Sequence, residues 1–279
     1  MELLQLKYFC DAAETENFSH TAQKYNVPAS NISQTIHRLE EELGTLLFNR
    51  TSNKVNLSEN GKAFYKGAKA ALISLEEAKG KLTAPDRVCG EIRILIGTNR
   101  QTVTKVIESF KKKYNDVTFL INHNINSNDR NYEFIISDKK SGYKNFSQKL
   151  LISEKIMVAV SNNNHLAKYK TVDPIELKEE KFIMMDENSS MNEVSQKICK
   201  SVGFLPDVII KCDDPFYVRE YVEQGLGIAF VPSFAWKGMF SENVTLLDIG
   251  DFKRESYVFY SNYMTSASKL FLNELINAF

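Results

Sequence analysis

Residues 18–57 read FSHTAQKYNVPASNISQTIHRLEEELGTLLFNRTSNKVNL, and this stretch decides the fold of the N-terminal part of the chain. Two segments with apolar residues at helical spacing flank a three-residue break, Asn26-Val27-Pro28. Asn tolerates a left-handed backbone and Pro suits a first helical turn, so the break predicts a tight turn between two helices. Asn17 is placed to cap the first helix, and Gly44 predicts the end of the second. A short basic segment that can form a hairpin follows, which gives the layout of a winged helix-turn-helix.

The helix after this break is predicted to have a buried stripe and a polar face. Its apolar residues recur every three or four positions and are Ile32, Ile36, Leu39 and Leu43. The opposite face carries small or polar groups that fit a DNA major groove and can hydrogen-bond base edges or phosphates. The candidate DNA contacts on this face are Ala29, Ser30, Ser33, Gln34, His37 and Arg38. An ordinary solvent-exposed face has the same composition, so the spacing alone leaves both interpretations open.

The segment after Gly44 favours the DNA-binding interpretation. Residues 46–48 predict the start of a short strand, residues 49–53 a polar turn that contains Arg50, and residues 54–57 a returning strand. The candidate DNA contacts in this wing are Arg50, Thr51, Asn53 and Lys54. The chain has no net charge, but between Leu43 and Lys69 five basic residues accompany a single acid, Glu59. This local excess of positive charge suits a nucleic-acid partner, because the distribution of charge matters more than its sum.

Many positions of this N-terminal part stand at the spacings of the LysR-type transcriptional regulators, which it therefore resembles. They are Phe18, Ala22, Ser33, Ile36, Leu39, Glu40, Leu43, Gly44, Leu47, Phe48, Arg50, Leu57 and Gly61. The resemblance implies a sequence-specific regulator that binds double-stranded DNA, with RNA polymerase as a further candidate partner. The chain departs from the family at Pro28-Ala29-Ser30, at Gln34 and at Asn53. These are base-contact and minor-groove positions, so the target sequence stays open.

A long helix is predicted after the wing, with Ser58 placed to cap it. Apolar residues then recur at alternating steps of three and four, at Gly61, Phe64, Ala68, Ala71, Leu75, Ala78 and Leu82. Such a heptad seam needs a second helix to cover it, either within its own domain or in a second copy of the chain. We favour self-association through Phe64, Ala68, Ala71, Leu75, Ala78 and Leu82, because burying a leucine contributes roughly 1.5–3 kcal/mol. The family resemblance implies the same dimerising linker helix, in a dimer or a tetramer.

Pro85 ends that helix, and beyond it strands alternate with helices, which is typical of an α/β domain. Strands are expected at 91–97, 117–122, 134–136, 156–160 and 257–260, among others. The run VEQGLGIAFVP at 222–232 resembles the LysR-type effector domain, whose two α/β lobes are like those of periplasmic solute-binding proteins. The predicted boundaries are 1–57 for the winged helix-turn-helix, 58–82 for the linker helix, 83–90 for a hinge, 91–161 with 263–279 for lobe I, and 162–262 for lobe II.

By the same resemblance, a small-molecule effector lies between the two lobes. The implied lining residues are Thr98, Asn99, Arg100, Gln101, Ser137, Asn188, Ser189, Ser190, Gly225 and Gly227. Loops at the carboxyl ends of strands are where α/β sheets bind ligands, but each of these residues could equally serve as a cap or a turn. Where the family usually has a helix, residues 123–133 read HNINSNDRNYE, so we expect an open or rebuilt wall in lobe I.

The four cysteines are Cys10, Cys89, Cys199 and Cys212, and they form no Cys-x-x-Cys pair. Neither a metal site nor a disulfide framework is indicated, and each thiol is most simply a small buried group. A thiol switch between Cys199 and Cys212 is the alternative, which would make the C-terminal domain a thiol sensor or a ligand-free scaffold.

Other functional classes lack their signatures. The histidines are isolated, and no His-Glu-x-x-His or Gly-x-Ser-x-Gly motif occurs, so we expect neither an enzyme nor a bound cofactor or metal. No apolar run approaches the roughly 20 residues that cross a bilayer, and the N-terminus lacks the features of a signal peptide. We therefore expect a cytoplasmic protein without a membrane partner.

Overall fold

The computed structural model of the protein describes residues 1–51, 54–83, 87–123, 132–139, 143, 146–187 and 189–279. The N-terminal elements are α1 Leu3–Thr15, α2 Phe18–Tyr25, α3 Ala29–Leu43, β1 Phe48–Thr51, β2 Lys54–Leu57 and α4 Glu59–Thr83. The elements that follow are β3 Gly90–Ile96, α5 Arg100–Lys113, β4 Val117–Asn122, β5 Phe134–Ser137, β6 Phe146–Ser161, the short 3-10 helices His165–Lys168 and Pro174–Glu179, β7 Lys181–Met185, α6 Ser190–Ser201, β8 Asp207–Cys212, α7 Pro215–Glu223, β9 Ala229–Pro232, β10 Val244–Ser261 and α8 Ser266–Asn277.

The chain divides into two compact units. The first consists of Met1–Leu95, Glu108–Phe134 and Ser261–Glu274, and the second of Ile96–Ile107, Ile135–Tyr260 and Leu275–Phe279. Within the described residues, no helix is both long and apolar enough to cross a bilayer.

Local chemistry accounts for the helix ends in the N-terminal part. The predicted cap is confirmed, because the Asn17 side chain accepts a hydrogen bond from the His20 amide at 3.0 Å. Asn26 follows α2 with φ 52° and Gly44 follows α3 with φ 65°, so both predicted left-handed stops are confirmed. The Ser58 hydroxyl accepts from the Gly61 amide at 2.9 Å and so caps α4 as predicted.

The first helices pack around an aromatic and aliphatic core. The Phe9 ring lies 5.7 Å from the Phe48 ring and 5.2 Å from the Phe64 ring, so α1, the wing and α4 meet there. Gly61 permits this arrangement, since a Cβ atom there would lie 2.1 Å from the Leu47 carbonyl oxygen. A side chain at position 61 would force α4 away from the wing.

The wing is an antiparallel hairpin whose start differs from the prediction. Asn49 pairs with Asn56 and Arg50 pairs with Val55. The predicted turn over residues 49–53 is therefore wrong at its beginning, because Asn49 and Arg50 belong to β1. Residues 52–53 lie outside the described part of the chain.

The α/β alternation predicted for the C-terminal part is confirmed. In the first unit, β3 and β4 are parallel, with Gly90 opposite Val117 and Leu95 opposite Asn122. Phe110, Phe119 and Phe271 form an aromatic core whose ring centroids lie 5.2–6.0 Å apart. The expected rebuilding of residues 123–133 falls largely outside the described residues.

The second unit contains strands in the order β5-β10-β6-β9, together with the parallel pair β7-β8. Its core gathers the apolar faces of α6, α7 and strands β6 to β10 around the buried Phe182. The predicted strands at 156–160 and 257–260 are only parts of β6 and β10, which span 16 and 18 residues. The predicted strands were too short because charged and polar residues occupy the remaining parts of β6 and β10. Some of these residues, such as Glu154 and Arg254, are buried.

Candidate functional site

The two faces of α3 have opposite environments. Ile32, Ile36 and Leu39 are fully buried, which fixes the rotation of the helix about its axis. On the other face, Ser33 is half-buried and the exposed residues are Ala29, Ser30, Gln34, His37 and Arg38. The polar face predicted from the sequence therefore points to solvent as one continuous surface.

Arg50 joins this face to the wing. Its Nη1 atom donates to the Ser33 hydroxyl at 3.2 Å, and its Nη2 atom donates to Glu40 Oε2 at 2.9 Å. The guanidinium also lies 5.3 Å from the centre of the Phe18 ring. These contacts hold the Arg50 charge beside α3, where a phosphate could reach it.

Glu40 is a positioning residue that the sequence analysis missed. It is only 3% exposed, and its Oε1 atom accepts hydrogen bonds from the Leu47 and Phe48 amides at 2.8 and 3.0 Å. The carboxylate thus ties the end of α3 to the first wing strand. The signal in the sequence is its place four residues after Ile36, on the buried stripe of the helix.

The basic surface is smaller than the count of charges predicted. Lys69 lies 2.6 Å from Glu14 of α1, and Lys62 lies 2.6 Å from Glu59, so both charges are offset by carboxylates. Of the wing candidates, Asn53 lies outside the described residues, and for Thr51 and Lys54 the structure describes the backbone alone.

The heptad seam of α4 divides into two parts. Phe64 and Ala68 belong to the core of the N-terminal helices, so this part of the seam packs against its own domain. The exposed part consists of Ala71, Leu75, Ala78 and Leu82. Leu75 is 52% exposed and Leu82 is 86% exposed, and these leucines leave apolar surface that a second helix could cover.

In the second unit, several candidate effector residues meet at the ends of β3 and β5. The Gly97 amide donates to the Ile136 carbonyl at 2.8 Å, which brings the loop of Thr98 and Asn99 beside Ser137. These three side chains are buried. Asn99 has φ 54°, and its Oδ1 atom is buried without a hydrogen-bond partner among the described residues. Buried polar atoms are normally paired, so this carbonyl marks a place for a donor.

The other candidates lie in varied settings. Arg100 is exposed, Gln101 is half-buried, and Asn188 lies outside the described residues. Ser189 caps α6, where its hydroxyl accepts from the Met191 amide at 3.3 Å.

The two glycines shape a turn. Gly225 has φ 74°, and a Cβ at Gly227 would lie 2.6 Å from the Lys181 carbonyl oxygen. Gly225 thus allows a positive φ, and Gly227 allows close packing against the backbone of Lys181. Both roles are those of a helix-to-strand turn, which is the alternative to ligand binding at these positions.

A buried ionic cluster beside these loops was missed by the sequence analysis. Asp138 Oδ2 accepts hydrogen bonds from the Ser190 hydroxyl and from Arg254 Nη1, the latter at 3.3 Å. Arg254 Nη2 donates to Glu154 Oε1 at 2.7 Å. The other Glu154 oxygen accepts from the Phe234 and Ala235 amides, both at 2.8 Å. The three charged side chains are at most 6% exposed, so water screens them little.

The thiols proposed as an alternative sensor have different settings. Cys199 is fully buried, and burial raises the pKa of its thiol to about 11. Cys212 is half-buried and its Sγ atom lies 3.4 Å from the Asp214 carbonyl oxygen. A thiol with so high a pKa is almost entirely protonated at neutral pH and reacts slowly with oxidants.

Comparison with known proteins adds independent findings. A family model described as "Bacterial regulatory helix-turn-helix protein, lysR family" matches residues 3–62, and one described as "LysR substrate binding domain" matches residues 85–279. The chain is 31% identical over 248 residues to the transcriptional dual regulator GltC of Bacillus subtilis strain 168, which covers 83% of this chain and 81% of that protein.

Solved structures share the fold. A full-length OxyR variant from Pseudomonas aeruginosa has a TM-score of 0.65 at 16% identity, and covers 100% of this chain and 94% of its own. Full-length CbnR in complex with its target DNA has a TM-score of 0.58 at 18% identity, and covers 100% and 99%.

Proposed function

The chain belongs to the LysR-type family of transcriptional regulators, and on that premise we propose that it binds double-stranded DNA through α3 and the wing. The observation that carries the proposal is the exposed polar face of α3, with the Arg50 guanidinium held beside it by Glu40. The proposed contacts are Ala29, Ser30, Ser33, Gln34, His37, Arg38, Arg50, Thr51, Asn53 and Lys54. Its DNA target would make the protein cytoplasmic. GltC of Bacillus subtilis, to which the chain is similar, is a transcriptional regulator, and we propose no enzymatic activity.

The test is a double substitution on the reading face of α3. Ser33→Ala with Gln34→Ala should weaken binding to a duplex selected from a random pool by about 1–3 kcal/mol, because base-edge hydrogen bonds are lost. Gel-shift titration against the selected duplex and a scrambled one separates specific from non-specific affinity. Lys197→Ala, an exposed change on α6, is the control. Unchanged specific affinity in the double variant would contradict the assignment.

Self-association through the exposed part of the α4 seam completes the proposal. Two copies related by a two-fold axis would present two reading helices to two half-sites of DNA. Leu75→Asp should convert the oligomer to monomers in light scattering, since a charge would enter the helix interface. Lys79→Asp, also exposed on α4 but off the seam, should leave the mass unchanged. An intact oligomer in Leu75→Asp would count against the seam.

The second unit is proposed to hold a small-molecule effector at the loops after β3 and β5. The unpartnered Asn99 carbonyl oxygen supports this, together with the Thr98 and Ser137 hydroxyls and the α6 residue Ser190. A ligand that binds only the folded protein stabilises it by an amount that grows with the logarithm of its concentration once that concentration exceeds Kd. Thermal shift with fractionated metabolites should therefore show an unfolding temperature that rises with concentration. The lobe and hinge boundaries expected from the sequence remain part of this proposal.

A further inference from the structure

The chemistry of the buried cluster formed by Asp138, Glu154 and Arg254 narrows the class of effector. We propose that the effector is a small zwitterion, whose ammonium group binds Asp138 and whose carboxylate group binds Arg254. This inference rests on the effector role proposed above for the adjoining loops, and it names the ligand that those loops admit.

The charge of the cluster favours a ligand that brings a positive group. Two carboxylates, Asp138 and Glu154, share one guanidinium, and all three side chains are almost completely buried. An unbalanced charge in a poorly solvated place is costly unless a counter-charge lies close to it. A purely anionic effector would add a second uncompensated negative charge. The ammonium group of a zwitterion, placed beside Asp138, balances the carboxylate that the same ligand brings, so no further net charge enters the cluster.

The buried polar atoms without hydrogen-bond partners favour a ligand that can both donate and accept hydrogen bonds. Arg254 Nε is buried and has no acceptor among the described residues, and Asn99 Oδ1 likewise has no donor. The Ser256 hydroxyl, two residues along β10 from Arg254 and so on the same face of the strand, is also unpartnered within the described residues. A carboxylate satisfies the arginine and an ammonium satisfies the amide oxygen. A simple amine would leave the arginine nitrogen without an acceptor.

One contact of the cluster is suited to open for such a ligand. Glu154 accepts three short hydrogen bonds, at 2.7–2.8 Å, and two of them come from the backbone, so it anchors Arg254 firmly. Asp138 meets the same guanidinium at 3.3 Å, which is long for a hydrogen bond between charged groups. Entry of the ligand between Asp138 and Arg254 would exchange this long contact for two charge-assisted ones, while Glu154 keeps the arginine in place.

The position of the cluster matches the proposed effector site. Asp138 directly follows Ser137 at the end of β5, and its partner Ser190 is the first residue of α6. A ligand at Asp138 would therefore lie beside the end of β5 and the start of α6. Because Arg254 lies on β10, separation of Asp138 from Arg254 would shift β5 and α6 relative to β10. Ligand binding would then change the conformation of the second unit.

Isothermal titration calorimetry of the full-length protein tests the inference, with the standard L-amino acids as the probes. At least one is expected to bind saturably. Its 2-oxo acid, N-acetyl derivative and decarboxylated amine, each of which lacks one of the two charges, should bind at least tenfold more weakly. Asp138→Asn, which keeps the size of the side chain, should also weaken the amino acid at least tenfold. Glu193→Gln, an exposed change in the first turn of α6, should leave its affinity unchanged.

The possible outcomes separate this inference from the proposed function. Binding of an acid without an ammonium group, when no zwitterion binds, would overturn the inference and keep the effector role. Equal affinity of Asp138→Asn and wild type would also overturn it. Failure of both the amino acids and fractionated metabolites to bind would remove the effector role as well, whereas DNA binding in the gel shift would still stand.

Discussion

Two buried glutamates, one in each compact unit, hold an arginine in the same way. In each, one carboxylate oxygen accepts hydrogen bonds from two consecutive backbone amides, and the other accepts one from an arginine Nη2 atom. The pairs are Glu40 with Arg50 and Glu154 with Arg254. What differs is the direction of the second terminal guanidinium nitrogen, Nη1. Nη1 of Arg50 reaches Ser33 on the exposed face of α3, and Nη1 of Arg254 reaches the buried Asp138.

The comparison shows how burial decides what a guanidinium can recognise. The Arg50 side chain is 36% exposed, so it keeps contact with water and can exchange Ser33 for a phosphate at low cost. The Arg254 side chain is 6% exposed, and its charge balance depends on every group that enters the cluster. The same carboxylate anchor therefore supports an outward-facing contact for DNA and an inward-facing contact for a small molecule.

The largest effect is expected from removal of the inward-facing arginine. Arg254→Met leaves Asp138 and Glu154 buried without their guanidinium, which should lower the free energy of unfolding by about 3–5 kcal/mol. Urea unfolding followed by circular dichroism measures the change. Lys253→Met, at the exposed neighbouring position, should change it by less than about 0.5 kcal/mol. A small effect at Arg254 would mean that the cluster is solvated and would break the comparison.

A smaller loss is expected at the carboxylate of the outward-facing pair. Glu40→Ala leaves the Leu47 and Phe48 amides without an acceptor and should cost about 2–4 kcal/mol. Glu40→Gln retains an oxygen for these amides and should cost less. Both variants should bind DNA more weakly, because the wing is no longer tied to α3. Glu41→Ala, at the exposed adjacent position, is the matched control for unfolding.

The pair of Glu40 with Arg50 can be anticipated from the sequence, whereas the pair of Glu154 with Arg254 cannot. The period of three and four predicts the faces of α3, and Glu40 stands four residues after Ile36, although glutamate at a buried position is uncommon. Both partners of that pair are ten residues apart. Local chemistry likewise predicted the caps at Asn17 and Ser58, because each depends on a backbone amide a few residues away.

The inward-facing pair depends on pairing between distant strands. Glu154 and Arg254 are 100 residues apart and meet because β6 and β10 are neighbours in the sheet. In the sequence Arg254 stands between the charged residues Lys253 and Glu255, and Glu154 stands between Ser153 and Lys155, so both look like parts of a solvent-exposed strand face. Asp138 follows a predicted site residue, Ser137, but nothing local shows that its carboxylate is buried. The pattern of apolar residues in the sequence can predict a strand. Which charged side chains come into contact depends on the neighbours of that strand in the sheet.

Substitution of the outward-facing arginine sharpens the comparison through DNA binding. Arg50→Met should cost less stability than Arg254→Met, because Arg50 is 36% exposed and the buried Glu40 carboxylate keeps its hydrogen bonds from the Leu47 and Phe48 amides. If Arg50 contacts a phosphate, the slope of log affinity against log salt concentration should fall by about 0.9. Fluorescence anisotropy over a series of salt concentrations measures it. Lys112→Met, an exposed charge on α5, should leave the slope unchanged, and an unchanged slope in Arg50→Met would remove Arg50 from the interface.

The smallest effect is expected at Cys199, which is buried but is not part of a glutamate–arginine pair. Burial raises the pKa of Cys199 to about 11, from an ordinary value of 9.0, so the folded state favours the neutral thiol. Its contribution to stability is therefore complete below pH 9 and is lost between pH 9 and about 11. At neutral pH, peroxide should leave DNA binding unchanged, and Ellman's reagent should reach Cys199 only after unfolding. Cys212→Ser is the control, since Cys212 is half-buried and should account for part of the fast reaction. Rapid oxidation of Cys199 in the folded protein would instead favour the thiol-sensing alternative.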